Sequence, residues 1–466
     1  MRFTSPVVIG MEVHVELATK TKLFCGCSRT GSAEPNTRTC PVCLGHPGSK
    51  PVLNKRAVDF ALKLALATES RIADELVFSR KSYFYPDMAK NYQISQYELP
   101  LAEHGRISIR GKDVKLTRIH LEEDPASLIH PSGIASSRYV LVDYNRSGNP
   151  LVEIVTEPVL ESPAEAREFM KELISILGYL DIFDINTCII KADANVSIKE
   201  SGYTRVEIKN ITGFKEIERA LNYEVSRQRK ELDSVRHETR AWDADAGLTR
   251  LIRTKETEED YGYILDPDLT RIELSREWIA QIRAELPELA REKTVRFIRE
   301  YGLPSDDAAI ISMELGMAEL FEKVAKEIEP KLAAKWLRRE LSRVMNYNSI
   351  DFHRLQIDET HLIELLQMVE KKEITEQVAQ RVLEKLIEKP FRVRDYVAEN
   401  SLMAVSDRGE LENWCREAVE ESPGAVADYR KGEGKALNYI IGKVMKRSRG
   451  TASPDAVREL LIKLIG

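Results

Sequence analysis

Val7-Val8-Ile9-Gly10-Met11-Glu12-Val13-His14-Val15-Glu16-Leu17 sets the terms for the fold. Its apolar Val13, Val15 and Leu17 alternate with Glu12, His14 and Glu16. Side chains two apart on a strand share a face, so the spacing predicts a β-strand. One side is apolar, and the other carries two carboxylates and an imidazole. Further segments repeat the pattern. In residues 187–199 the apolar Ile190, Ala192, Ala194, Val196 and Ile198 lie opposite Lys191, Asp193, Asn195 and Ser197. In residues 204–210, Val206 and Ile208 oppose Arg205, Glu207 and Lys209. Residues 118–124 add His120 and Glu122 on one side, with Glu123 and Asp124 following before Pro125.

Around these runs the chain divides by texture. Residues up to about 268 are β-rich, interrupted by helical stretches at about 54–67, 163–178 and 216–233. Beyond about 276 the periodicity is helical. Ile374, Val378, Ala379, Val382, Leu383, Leu386 and Ile387 form one apolar stripe, ended by Pro390. Ser453-Pro454 reads as an N-cap followed by proline at the first helical position. The expected architecture is α+β: a large antiparallel-sheet domain over residues 1–292, a helical connector over 293–395 and a small helical tail over 396–466. A length of 466 residues suits about three domains at roughly 100–200 residues each.

Composition narrows the function classes. With 69 Lys+Arg against 75 Asp+Glu and a net charge of −6, the chain is not a globally basic nucleic-acid binder, although a local patch fits within that average. No apolar run approaches a membrane span, and the first residues lead straight into a strand pattern without a signal-like segment, so a cytoplasmic protein is expected. Six cysteines in a chain of this length are not a disulfide scaffold. Cys25-Gly26-Cys27 and Cys40-Pro41-Val42-Cys43, separated by a short loop, have the layout of a structural Zn²⁺ site closed by four sulfurs. The plainer alternative is four reduced thiols on a loop. Cys188 and Cys415 read as inert buried thiols.

Alternation alone suits an antiparallel sheet with one wet face. Carboxylates and histidine interleaved with Lys and Arg also suit a divalent cation with a polyphosphate, because Mg²⁺ takes oxygen ligands and the cations neutralise phosphate. Neither common glycine-rich nucleotide cradle is present, so a nucleotide would bind on an open sheet.

Residues 141–158 contain Asp143-Tyr144-Asn145-Arg146-Ser147-Gly148-Asn149-Pro150-Leu151-Val152-Glu153, which reads as a hairpin turn between two β runs. This stretch closely resembles the signature D-x-N-R-x-G-x-P-L-[ILV]-E of the B subunit of the tRNA-dependent aspartyl/glutamyl amidotransferases. The likeness extends to Ile9–Leu17, to Arg80-Lys81-Ser82-Tyr83-Phe84-Tyr85-Pro86-Asp87 with Lys90 and Tyr92-Gln93-Ile94-Ser95-Gln96, and to His120-Leu121-Glu122-Glu123-Asp124. Asp193-Ala194-Asn195-Val196-Ser197 and Glu207-Ile208-Lys209-Asn210 match as well. In the tail, Lys435-Ala436-Leu437 and Gly442-Lys443-Val444-Met445-Lys446, with Gly450 and Pro454, resemble the family's C-terminal motif.

The resemblance implies a cradle-like catalytic sheet related to glutamine synthetase. It implies ATP-dependent amidation of misacylated Asp-tRNA(Asn) or Glu-tRNA(Gln). Ammonia would come from a separate amidase (glutaminase) partner, and a small third subunit would join the two into a heterotrimer. By position, Glu12, His14 and Glu123, with Glu122 the alternate, would serve as Mg²⁺ ligands or their support. Asp193 and Glu207 would extend that face toward a second metal or the incoming ammonia, and Lys191, Arg205 and Lys209 would meet phosphate. Tyr83, Tyr85, Lys90, Tyr92 and Ser95 would shape a nucleotide or aminoacyl-adenosine pocket, unless the tyrosines are ordinary core residues near a turn. Two departures from the family stand out. Asp260-Tyr261-Gly262-Tyr263-Ile264-Leu265-Asp266-Pro267-Asp268 lacks an arginine and a phenylalanine-proline pair usual there, and the four cysteines are not universal.

The tail changes charge sign abruptly. An acidic run with Glu410, Glu412, Glu417, Glu420 and Glu421 gives way to Lys435, Lys443, Lys446, Arg447 and Arg449. A charge run is usually a solvated helix face, but this reversal favours an RNA-backbone patch. Lys331, Lys335, Arg338, Arg339 and Arg343 of the connector could face the same tRNA. Two other readings stand beside the enzyme: a non-catalytic, zinc-stabilised adaptor that presents tRNA, and a metal-dependent hydrolase using the same carboxylates.

Overall fold

The computed structural model describes residues 3–132, 137–254, 262–348, 350, 352–405 and 408–466. The chain forms two compact units, Met1–Leu289 and Ala290–Gly466. The first contains β1 (Val7–Glu16), α1 (Lys55–Ala67), β2 (Arg71–Ile72), β3 (Glu75–Leu76), β4 (Ser79–Ser82) and β5 (Tyr92–Ser95). There follow β6 (Ala102–Ile109), β7 (Lys112–Glu123), β8 (Ser127–Ile129), β9 (Leu141–Asp143), β10 (Pro150–Thr156) and α2 (Pro163–Tyr179). Next come β11 (Ile190–Ile198), β12 (Val206–Ile211), α3 (Phe214–Lys230), β13 (Glu238–Asp243), β14 (Leu248–Arg253), β15 (Ile264–Leu265), β16 (Ile272–Glu273) and α4 (Arg276–Ala284).

A nine-stranded sheet in the order β14-β13-β12-β11-β1-β10-β7-β6-β2 organises this unit. The alternation seen in the sequence decides its two faces. Ile9, Met11, Val13 and Val15 of β1, Ile119 and Leu121 of β7, Val152 and Ile154 of β10 and Ala192, Ala194 and Val196 of β11 all point into one buried cluster. Helices cover that face: α2 and α3 contribute Phe169, Leu173, Leu177, Ile217 and Leu221, and α1 contributes Phe60, Leu62 and Leu64. The opposite face is left to polar groups. The sheet is mixed rather than antiparallel, because β12 and β13 run parallel. The reason is local: α3 lies between them in sequence, and a helical crossover returns the chain in its original direction.

The 141–158 segment is not a hairpin. Its first run, β9, pairs with β8, while its second, β10, lies between β1 and β7. The residues between them are an anchor instead of a tight turn. Asn145 Nδ2 donates to Glu34 O (2.7 Å) and its Oδ1 accepts from the Arg38 N–H (2.7 Å), while Asp143 Oδ1 accepts from the Asn36 N–H (3.0 Å). Arg146 donates to the Pro125 and Ala126 carbonyls, and Asn149 Nδ2 donates to Glu16 Oε1 (2.6 Å). At Gly148, φ +83°, an added Cβ would sit 3.6 Å from Cys43 Cβ. The signature therefore straps the cysteine loop to the edge of the polar face.

The second unit is helical. Phe297, Phe321, Trp336, Leu366, Val382 and Leu386 belong to one buried cluster, and Leu411, Cys415, Leu437, Val444, Val457 and Leu461 to another. The apolar stripe of residues 374–387 becomes the helix Glu376–Glu388, capped by Thr375 Oγ1 on the Val378 N–H (3.2 Å). No helix among the described residues is long and apolar enough to cross a membrane.

Asn145→Ala should remove two partly buried hydrogen bonds and destabilise the first unit by about 1–3 kcal/mol. Hydrogen exchange should show lost protection concentrated in residues 28–43. Unchanged denaturation and exchange would contradict the anchor.

Candidate functional site

Opposite residues in an antiparallel pair project to the same side, so the register locates the polar groups. His14 of β1 lies across from Glu153 of β10 and Lys191 of β11, and Glu12 lies across from Asp193. Glu153 in turn faces His120 of β7, with Leu151 opposite Glu122 and Val155 opposite Arg118. Asn195 of β11 pairs with Glu207 of β12. Five neighbouring strands thus deliver acids, imidazoles and cations to one basin.

At its centre His14 Nε2 lies 3.3 Å from Glu153, 3.5 Å from Glu122 and 3.6 Å from Glu12. His120 Nε2 lies 3.4 Å from the same Glu153 and 3.8 Å from Glu122. Glu12, His14 and Glu153 each offer a ligand atom within 4.8 Å of the others, and so do His120, Glu122 and Glu153. Beside this cluster Lys209 Nζ reaches Asp193 (3.3 Å) and Glu207 (3.0 Å). The Asn210 N–H donates to Asp193 and Thr239 Oγ1 donates to Glu207 (2.9 Å each).

These groups are held in an electrically crowded state. Burial pushes the His14 imidazole down, yet the Glu153 hydrogen bond and the charges of Glu122, Glu153 and Glu12 raise its pKa to about 10. His120 is likewise raised to about 9, against burial, by Glu153 and Glu122. Burial, followed by the Glu153 charge, lifts Glu12 to about 7. Burial opposes ionisation of Glu153, but His120 and His14 hold it well below the usual carboxylate range. Burial also disfavours the Lys209 charge, but Asp193, Glu207 and Glu12 raise its pKa. Among the described residues, buried Glu153 Oε1 has Arg118 3.5 Å away as an ion-pair neighbour but no hydrogen bond, and buried His120 Nδ1 has no hydrogen-bond partner. Clustered carboxylates balanced by imidazolium protons suit a hard divalent cation.

The structure brings Glu12, His14, Glu122, Asp193, Glu207 and Lys209 together, as the strand parity predicts. Glu123 is the exception. It follows Glu122 on β7 and therefore turns to the other face, where it pairs with Lys90 and accepts from the Ile94 N–H (2.9 Å). Glu123 thus stands apart from the Glu12–His14 cluster. Glu16 shares the face of His14, but Arg29 (3.2 Å), Asn149 (2.6 Å) and the Ile189 N–H (3.2 Å) occupy it. Lys191 acts electrostatically on Asp87 and Asp124, while exposed Arg205 acts on Glu207. In the aromatic loop, Ser95 Oγ reaches Glu122 (3.3 Å), and the Tyr92 ring carries Arg80 at 4.4 Å. The Tyr83 N–H donates to Asn91 O, and Tyr85 is exposed. Asp260 and Tyr261 of the divergent loop lie outside the described residues; its Asp266 and Asp268 bind Arg80 (2.9 and 3.0 Å).

Sequence reasoning assigns no role to Glu153, His120 or Arg118. A signal for Glu153 exists in Val152-Glu153-Ile154, one acid between two core residues, but the turn formers just before it draw the reading toward a hairpin.

The four sulfurs of Cys25, Cys27, Cys40 and Cys43 lie within 4.8 Å of one another, unlinked by disulfides, and could hold a metal such as zinc. A hydrogen bond from Cys25 lowers the Cys43 pKa to about 4, helped against burial by the Cys40 N–H and the Lys22 charge. Lys22 is fully buried, with Nζ 3.7 Å from Cys43 Sγ. Gly45 closes the loop at φ +67°, where a Cβ would sit 2.6 Å from Lys90 Cγ. Only glycine fits that turn and that approach.

In the tail, the helix Gly434–Arg447 leaves Lys435 and Lys446 exposed, with Arg449 exposed just beyond it. Lys443 donates to Glu421 O (3.1 Å), and Arg447 pairs with Glu417 (2.9 Å) and Glu421 (2.5 Å). In the connector, Lys335 and Arg343 pair with Glu376 and Glu384, and Arg338 with Asp307, whereas Lys331 and Arg339 are exposed.

Comparison with known proteins agrees with this layout. Residues 7–280 match the GatB/GatE catalytic domain, and residues 319–465 match the GatB domain. Three relatives are named as the B subunit of aspartyl/glutamyl-tRNA(Asn/Gln) amidotransferase. The one from Carboxydothermus hydrogenoformans is 41% identical over 468 residues, covering 97% of each chain. That from Thermodesulfovibrio yellowstonii is 42% identical over 473 residues, and that from Brevibacillus brevis 41% over 472, each spanning 98% of both chains. The chain belongs to the GatB family.

Proposed function

We propose that the chain is the carboxylate-activating half of a cytoplasmic tRNA-dependent amidotransferase. It takes Asp-tRNA(Asn), Glu-tRNA(Gln) or both, and works in a heterotrimer with an amidase partner and a small third subunit. The side-chain carboxylate of the misplaced amino acid attacks the γ-phosphorus of ATP, giving an acyl phosphate and ADP. Ammonia then adds to the acyl carbon, phosphate leaves with the electron pair of the broken C–O bond, and a proton passes to base. A free carboxylate cannot react this way because its leaving group would be oxide.

The observation that carries the reading is the convergence of Glu12, His14, His120, Glu122 and Glu153, with Asp193, Glu207 and Lys209 alongside. Phosphoryl transfer needs positioning and charge neutralisation rather than a protein nucleophile, and this basin supplies both. Glu12, Glu122 and Glu153 would hold Mg²⁺, with His14 and His120 setting their orientation. A bound Mg²⁺ would neutralise charge on the phosphates. Lys209 would meet phosphate, and Asp193 and Glu207 would receive ammonia and its proton. Lys191 and Arg205 flank the same face. Ser95 would border the approach through Glu122, and Tyr83, Tyr85 and Tyr92 would flank it, whereas Lys90 is held by Glu123 on the other face. The cysteine cluster is assigned a structural Zn²⁺ that stiffens the loop strapped to residues 143–149. Within this reading, domain bounds at 292 and 395 would separate catalytic, connector and tail functions. Exposed Lys435, Lys446 and Arg449 provide the RNA contact, with Lys443 and Arg447 reinforcing it once released from Glu417 and Glu421.

Three outcomes check this. Glu153→Gln and Asp193→Asn should cut misacylated-tRNA-dependent ATP consumption by roughly a hundredfold or more, while tRNA binding persists. Normal transamidation by both variants with ammonium salt would favour the adaptor reading. Elemental analysis should find one zinc per chain, lost in Cys43→Ser together with order in residues 25–43; wild-type protein free of zinc contradicts the assignment. Joint replacement of Lys435, Lys446 and Arg449 by alanine should weaken tRNA binding and reduce its logarithmic salt slope by roughly 2–3 units. An unaltered slope would exclude that patch.

A further inference from the structure

Among the described residues, the groups that converge on the basin supply charge rather than a surface for a base. The aromatic loop offers little, since the Tyr92 ring already carries Arg80 and has Lys90 within 5.3 Å. A second aromatic pair lies beside the site. Tyr97 and Tyr263 stack with ring centroids 4.0 Å apart and planes 11° from parallel, and Tyr97 remains 38% exposed.

The placement of Tyr97 follows from β5. The Ile94 N–H donates to Glu123 (2.9 Å), Ser95 Oγ donates to Glu122 (3.3 Å), and Gln96 Oε1 accepts from the Leu121 N–H (2.9 Å). Residues 94, 95 and 96 therefore step along β7 in reverse order, in the direction of His120, and Tyr97 follows next in sequence. Tyr263 stacks on Tyr97 from the residue just before β15, whose Ile264 pairs with Arg80 of β4.

Arg118 joins the pair to the carboxylates. Its guanidinium lies 3.5 Å from Glu153, and its buried Nε has no hydrogen-bond partner among the described residues. Burial works against its charge, while Glu153, Glu12 and Tyr263 hold it. Exposed aromatic rings stack any base by its π face, and a neighbouring arginine adds a cation–π contribution.

We propose that Tyr97 and Tyr263 form an adenine-stacking subsite, with Arg118 neutralising phosphate between it and the carboxylate–imidazole cluster. The proposal rests on the reading that the basin binds a magnesium nucleotide. The adenine has two possible sources of identical chemistry: ATP itself, or the terminal adenosine that carries the misplaced amino acid.

The test uses the chain assembled with its partner subunits, misacylated tRNA, ATP and ammonium salt. Tyr97→Leu and Tyr263→Leu keep apolar bulk but abolish the ring, and Tyr97→Phe and Tyr263→Phe keep the ring. Each leucine variant should raise one KM by roughly tenfold, with kcat little changed, and each phenylalanine variant should recover the wild-type KM. A rise in the ATP KM, with matching loss of Mg·ADP binding in calorimetry, assigns ATP; a rise in the tRNA KM alone assigns the terminal adenosine. Unchanged KM values in both leucine variants, or phenylalanine variants as impaired as leucine ones, would overturn the subsite. Wild-type protein that consumes no ATP with misacylated tRNA would instead sink the functional reading beneath it.

Discussion

The pairing of His14 with Glu153 across β1 and β10 is the constraint on which the first unit depends. Side chains repeat every second residue along a strand, so a slip of one position would drive His14 and Glu12 into the apolar cluster and expose Val13 and Val15. The helices on the covered face make that slip costly, because Ile9, Met11, Val13 and Val15 are all but fully buried there. The same packing that stabilises the sheet thus fixes the geometry of the basin. Once helices occupy one face, the carboxylates and imidazoles of β7, β10, β1, β11 and β12 have only the other to share. Their crowding is maintained by cross-compensation: each imidazole stays protonated because of the acids beside it, and Glu153 stays ionised because of both imidazoles.

A second constraint keeps the edge of this face in place. Glu16 continues the polar row of β1, yet it is spent on Arg29 and Asn149, one from the cysteine loop and one from the anchor segment. Asn145, Asp143 and Gly148 fasten the same loop, and Gly45 lets it close on Lys90. The cysteine cluster therefore reaches the basin through a short chain of contacts without entering it. That arrangement fits a stiffening role and leaves the polar face free for chemistry.

Much of this was legible in the sequence because strand alternation is a local property. Glu12, His14, Asp193, Glu207 and the cysteine pairs could be placed from spacing alone. The errors arose where spacing underdetermines the outcome. Residues 141–158 contain turn formers between two β runs, the pattern of a hairpin, but Asp143, Asn145 and Arg146 find partners far away in sequence, and those contacts send the two runs to different sheets. That misreading hid Glu153. The motif groups Glu123 with its neighbour, although parity separates them, and Lys90 balances it on the far side. The parallel β12–β13 pair follows from α3 acting as a crossover, which no residue pattern within either strand reveals. Arg118, Tyr97 and Tyr263 come from three separate segments, so only the fold unites them.

The central claim is that this basin makes an acyl phosphate from a tRNA-borne carboxylate. The most direct measurement uses misacylated tRNA with ¹⁸O in the side-chain carboxylate, ATP and ammonium salt, and mass spectrometry of the inorganic phosphate released by the assembled enzyme. The account predicts that one labelled oxygen passes from the carboxylate into phosphate with each amide formed. Amide formation with unlabelled phosphate, or with the label recovered in AMP, would contradict it.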